Sequence, residues 1–251
     1  MRLPILFLAL ASLAQAAPKT GYLTFDDGPE PGTAEVLQLL KDHKDAQGTA
    51  SPITATFFVL GKNQSTFPGT AAEEKAEQKK QFLAIKAAGH RIGNHTFSHF
   101  PLTKPEYTAT YSKPLTAPQR TTFRKNFDAN LTHFRGLVGD AQLQLKLARL
   151  PGAGGVLQSL EYLRAETNDH QLKHVTWTFE FAPNGVLPEA TPSENWQGIQ
   201  GVAATYATFP PDNAVILFHD RHWAGTAGIA LLDQIIKKLD AHEFKFVLVE
   251  E

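Results

Sequence analysis

The chain has 251 residues, of which 42% are hydrophobic and 20% charged, with a formal net charge of −1, three tryptophans and no cysteine. That balance excludes collagen, coiled coil and wholesale disorder, and the length is enough to bury a core without covalent staples. The missing cysteines exclude a disulfide framework, a thiolate metal site and a cysteine nucleophile, and no basic block is long enough to suggest a nucleic-acid groove.

In chain order, the first feature is an apolar run from Leu3 to Ala17, preceded by Arg2 and closing on Ala14-Gln15-Ala16. It is too short to span a bilayer and has the flanks of a secretory signal, so residues 1–17 are expected to be a leader and the mature chain to work in the periplasm or outside the cell. Strands are expected over Tyr22–Phe25, Ala55–Leu60, Arg91–Gly93, Leu147–Leu150, His174–Phe179, Ala214–Phe218 and Phe244–Val249, most of them near-continuous apolar runs suited to a sheet buried on both faces. Helices are expected over Thr33–His43, Ala71–Ala88, within Gln119–Leu137, and over Leu157–Ala165, Ser193–Thr208 and Gly228–His242. Strand then helix, repeated, predicts βα units and a parallel sheet or barrel of about seven strands. No linker or composition shift divides residues 18–251, which are expected to form one domain. Lys44–Pro52, Asn63–Thr70 and the proline- and threonine-rich stretch Pro101–Pro118 read as loops.

Two clusters carry chemistry. Tyr22-Leu23-Thr24-Phe25 runs straight into Asp26-Asp27-Gly28-Pro29, two adjacent carboxylates at a strand end with a turn behind them. That pattern suits a metal ligand beside a general base, although Asp-Asp-Gly-Pro alone also describes a plain surface turn. His95-Thr96-Phe97-Ser98-His99 follows the strand at Arg91–Gly93, with Asn94 available as a cap. Histidines at i and i+4 share one face of a helix and can bind a single ion. Both clusters sit just after expected strands, which in a βα barrel places them on one face.

Thr24-Phe25-Asp26-Asp27-Gly28 together with His95-Thr96-Phe97-Ser98-His99 resembles the first two motifs of the polysaccharide deacetylase family, the NodB-type carbohydrate esterases (carbohydrate esterase family 4). The resemblance implies a distorted (β/α) barrel and a divalent metal held by Asp27, His95 and His99, usually zinc, with cobalt or nickel as alternatives. It further implies that Asp26 is the base. Arg149-Leu150-Pro151-Gly152 is similar to the family's Arg-x-Pro motif, whose arginine orients the base and whose following backbone amide holds an oxyanion; the family often has tyrosine where Gly152 stands. Leu217-Phe218-His219 looks like its Leu-x-His motif, making His219 the acid. The aspartate that tunes that acid has no plain match, and Glu180 and Asp220 both remain candidates. The implied activity is removal of N-acetyl groups from an acetylated amino-sugar polymer of the chitin, peptidoglycan or poly-N-acetylglucosamine type. An O-acetyl esterase acting on xylan, or a glycan-binding member without activity, is the alternative. Trp196 and Trp223 could stack on sugars or belong to the core, and the oligomeric state is not legible.

Overall fold

The computed structural model describes residues 19–45, 47–62, 67–99, 116–151, 171–181 and 212–251. The expected leader, the expected helices at 157–165 and 193–208, Gly152 and Trp196 lie outside them.

Eight strands form one sheet: β1 (Lys19–Asp26), β2 (Thr56–Val59), β3 (Arg91–Asn94), β4 (Leu147–Ala148), β5 (Lys173–His174), β6 (Phe179–Glu180), β7 (Asn213–His219) and β8 (Phe244–Phe246). Every pairing in it is parallel, in the order β5-β4-β3-β2-β1-β7-β6, with β8 also on β1. The result is the distorted (β/α) barrel that the sequence predicts. One correction concerns a single strand. The run His174–Phe179 is not a single strand but two short ones, β5 and β6, at opposite ends of the order, so residues 175–178 join the two edges of the sheet and leave a seam.

β1 is the axis of the arrangement. Along one edge it pairs with β7 from Thr20 to Asp26. Its other edge is shared: β8 takes Lys19–Gly21 and β2 takes Thr24–Asp26. That division explains why β8 stops at Phe246, short of the expected Val249, because the edge beyond is already occupied.

Among the described residues four helices cover the outside: α1 (Thr33–Asp42), α2 (Ala71–Ala87), α3 (Ala117–Val138) and α4 (Gly225–Ala241). Each buries a stripe at helical spacing, such as Val36, Leu37 and Leu40 in α1, or Leu231, Leu232, Ile235, Ile236 and Leu239 in α4. α2 starts with a capping box in which the Thr70 side chain accepts from the Glu73 N–H and the Glu73 carboxylate accepts from the Thr70 N–H. Alternation along β1 sorts the two faces. Leu23 and Phe25 point outward into the helix-covered core, where Phe25 stacks between Phe57 and Phe218 at 5.0 and 5.3 Å. Tyr22 turns inward to a smaller cluster of Phe58, Leu147, Val175 and Val249, and Thr24 and Asp26 share that inner side. Trp223 is fully buried against Phe218 in the outer core, so it is not a sugar platform.

Candidate active site

The two aspartates converge because the strand ends between them. Asp26 is the last residue of β1, and Asp27 takes a left-handed conformation (φ 75°), which aspartate tolerates better than most residues. Had the strand continued, the two carboxylates would have faced opposite sides. Behind them the chain passes so close to Asp220 that a Cβ on residue 28 would strike its carboxylate, hence glycine there.

His95 and His99 come together by a different route from the expected helix. Residues 95–99 form a loop in which Thr96 (φ 68°) and His99 (φ 50°) are left-handed. Three asparagines hold that loop. Asn94 Oδ1 accepts from the Thr96 N–H (2.8 Å) and from Asn130 Nδ2 (2.9 Å), while Asn126 Oδ1 accepts from the N–H groups of Phe97 (2.8 Å) and Ser98 (3.1 Å). His95 Nδ1 lies 2.8 Å from the carbonyl oxygen of Arg149, and since a carbonyl can only accept, Nδ1 carries the proton and Nε2 is left with a lone pair. Both Nε2 atoms, of His95 and of His99, stand 3.4 Å from Asp27 Oδ1, a buried oxygen with no hydrogen-bond partner. Three donor atoms thus meet at one point, with a backbone carbonyl fixing the tautomer of one of them. His99 is 31% exposed against 1% for Asp27, so the cluster opens on the His99 side.

The chemistry of this set fits a divalent cation: two imidazole nitrogens and one carboxylate leave coordination positions for water or substrate. Burial opposes charge on both Asp27 and His95. Yet the interactions of Asp27 with His95, His219 and His99 still bring its carboxyl below the usual range, and the two aspartates raise His95. The site is built to hold positive charge at its centre.

Asp26 has different company. Its Oδ1 accepts from Arg149 Nη1 at 2.9 Å, and Oδ2 lies 3.6 Å from His95 Nε2. Arg149 itself is fully buried. It spends its donors on Asp26, on Thr24 Oγ1 (2.8 Å) and on the carbonyls of Val175 (3.1 Å) and Thr176 (3.2 Å), with the rings of Phe58 and Trp177 at 4.3 and 5.5 Å from its guanidinium carbon. The guanidinium therefore bridges the seam and orients Asp26. Burial raises the Asp26 carboxyl above its ordinary value despite the arginine, which leaves it a better proton acceptor than a surface aspartate.

His219, at the end of β7, pairs in register with Asp26. Its Nε2 is 3.8 Å from Asp27 Oδ2 and its Nδ1 is 3.9 Å from Glu180 Oε1. Burial pushes His219 down to about 4 and Glu180 up to about 7. Asp220 points elsewhere: its carboxylate accepts from Thr33 Oγ1, and burial followed by the Glu30 charge pushes it well up. Pro151 is buried in the turn after Arg149.

Two residues were not expected from the sequence. Arg221, in the 3₁₀ turn Asp220–Trp223, donates from Nη1 to Asp27 Oδ2 and, at 3.3 Å, to Glu30 Oε1. Glu30 is fully buried. Only the place of Arg221, two residues after His219, could have pointed to it. Next to it, His222 lies with its ring 5.1 Å from that of His219.

A family model described as polysaccharide deacetylase matches residues 14–148. A peptidoglycan-N-acetylglucosamine deacetylase of Bacillus cereus is 30% identical over 236 residues, which is 93% of this chain and 70% of that protein. A chitooligosaccharide deacetylase of Bradyrhizobium is 36% identical over 97 residues, 38% of this chain and 36% of the relative. Among solved structures, a family 4 carbohydrate esterase from Streptomyces lividans superimposes with a TM-score of 0.58 at 20% identity, covering 93% of this chain and 95% of that one, a likeness of fold.

Proposed function

The chain belongs to the polysaccharide deacetylase family, and from that premise we propose that it is a divalent-metal-dependent hydrolase removing N-acetyl groups from an acetylated amino-sugar polymer or oligosaccharide. The observation that carries this reading is the contrast between two adjacent carboxylates. Asp27 offers an unpartnered oxygen to two histidine nitrogens, while Asp26, one residue away, is clamped by a buried arginine.

In this reading Asp27, His95 and His99 hold the cation, zinc first, since the mixed nitrogen and oxygen donor set suits it. When bound it supplies Lewis acidity, polarising an acetyl carbonyl and making water acidic enough to lose a proton near neutral pH. Asp26 takes that proton on Oδ2, the oxygen that Arg149 leaves free. The backbone amide that follows Pro151, that of Gly152, donates to the developing oxyanion. His219 gives a proton to the leaving amine, a poor leaving group that needs it. Glu180, rather than Asp220, is the carboxylate that steadies the protonated imidazole, because it faces Nδ1 whereas Asp220 is engaged with Thr33. Residues 1–17 export the chain to the periplasm or the cell exterior. In support, relatives act, by their names, on peptidoglycan and chitooligosaccharides.

The test is acetate release from N-acetylated chitooligosaccharides and peptidoglycan, with acetylated xylan as the ester control. Activity on the amides that chelation abolishes and added Zn²⁺ restores is the expected result. Release from xylan alone would mean an esterase, and glycan binding without any release would mean a lectin-like member.

A further inference from the structure

A carboxylate can meet a cation through one oxygen or through both, and in Asp27 the two oxygens have unlike surroundings. Oδ1 is buried, lacks a hydrogen-bond partner and faces the histidines. Oδ2 accepts a charge-assisted hydrogen bond from Arg221 Nη1. That guanidinium is anchored in turn by Glu30, a fully buried carboxyl that burial pushes up to about 7, brought to the site by the turn after Gly28-Pro29. Without the arginine a carboxylate at that depth is costly to ionise, so Glu30 and Arg221 act as a pair.

We infer that Arg221 is a positioning residue: it occupies Asp27 Oδ2, restricts Asp27 to a single coordinating oxygen, and so keeps the metal's coordination number low. Its placement follows from strand register. Asp26 pairs with His219, and the 3₁₀ turn that begins at the next residue carries Arg221 back beneath Asp27. Each of the adjacent aspartates is thus met by its own guanidinium, Asp26 by Arg149 and Asp27 by Arg221. With half of the Asp27 charge taken up by Arg221, the cation receives less from its ligands and stays a stronger Lewis acid.

This inference rests on the reading of Asp27, His95 and His99 as a cation site, and Co²⁺ titration followed by visible absorption separates the two. If the native protein takes up no Co²⁺ at one equivalent, the cation reading itself fails. If it does, the comparison is with Arg221→Met and with Arg221→Met/Glu30→Gln, the second of which removes the Glu30 carboxyl together with its guanidinium partner. Freed from Arg221, Asp27 can bind through both oxygens. Each folded variant is therefore expected to show a weaker, higher-coordinate d–d band than the native protein, the change that a second coordinating oxygen from Asp27 brings. A native band shape and intensity in the folded variants overturns the inference, because a role in packing alone leaves coordination unchanged. Failure of both variants to fold also overturns it, since Arg221 would then be a structural residue.

Discussion

The two sides of the site are built to different standards. On the ligand side, Asp26, Asp27 and His95 sit at the ends of β1 and β3, inside the continuously paired part of the sheet, with side chains 1–3% exposed. On the other side, His219 and Glu180 flank the seam, where the strands β4, β5 and β6 are two residues long, and their side chains are 15 and 16% exposed. Asp26, Asp27 and His95 are thus held in the dry, well-paired region, while His99, at 31% exposed, is where the cluster opens. His219 and Glu180, the pair proposed to serve the leaving group, stand where the sheet is thin. Arg149 crosses from one to the other, with its carbonyl on His95 and its guanidinium on both Asp26 and the seam carbonyls.

That contrast can be broken in four ways. The largest effect is expected from Asp26→Asn, which should lower turnover by about 10³–10⁴-fold while metal content stays near one equivalent. If metal were lost as in Asp27→Asn, the two aspartates would have exchanged roles. Next comes His219→Ala on the seam side, expected to cost about 10²–10³-fold on an N-acetyl sugar but little on an activated aryl acetate, whose phenolate leaves without a proton. Equal losses on both substrates would place His219 in the first half of the reaction. Glu180→Gln should be milder, about tenfold in kcat with KM nearly unchanged, and a variant as active as the native enzyme would free the acid from any carboxylate partner.

The smallest effect sharpens the ligand side through stability alone. His90 stands just before β3, accepts the Ala55 N–H on Nδ1 at 3.0 Å and packs edge-on to Phe57, so it ties β3 to β2. Burial pushes it down to about 4, against about 6.5 in the unfolded chain. The neutral form is the one that folds, so its contribution is complete above pH 6.5 and is lost as pH falls toward 4, by on the order of 2 kcal/mol. His90→Asn, which keeps an acceptor but does not titrate, should flatten the fall in urea midpoint across that window. An unchanged slope would assign the acid sensitivity elsewhere.

Much of this was legible in advance for a physical reason. Apolar runs such as Ala214–Phe218 carry their own evidence of burial, and the strand-end position of Asp26-Asp27 is read directly from Tyr22–Phe25. What the sequence hides is partnership. The run His174–Phe179 has strand composition throughout, yet only its ends find neighbours, because the middle spans the seam. The i, i+4 histidines satisfy a helical pattern, yet a loop held by Asn94, Asn126 and Asn130 brings them together equally well. Glu30 and Arg221 lie 191 positions apart, and no local pattern joins them.

The pairing of β1 has a consequence for the order in which the protein can be assembled. The strand that carries both aspartates is held along one edge by residues 213–219 and at its start by residues 244–246. A ribosome must release nearly the whole chain before these contacts close, and the entropy of looping out some two hundred residues is met before any of them rewards it. Folding from the amino terminus onward is therefore closed to this topology. A nascent chain that has just made Asp26 and Asp27 holds them without His219 or Arg221, so the site closes around the two aspartates in one late step.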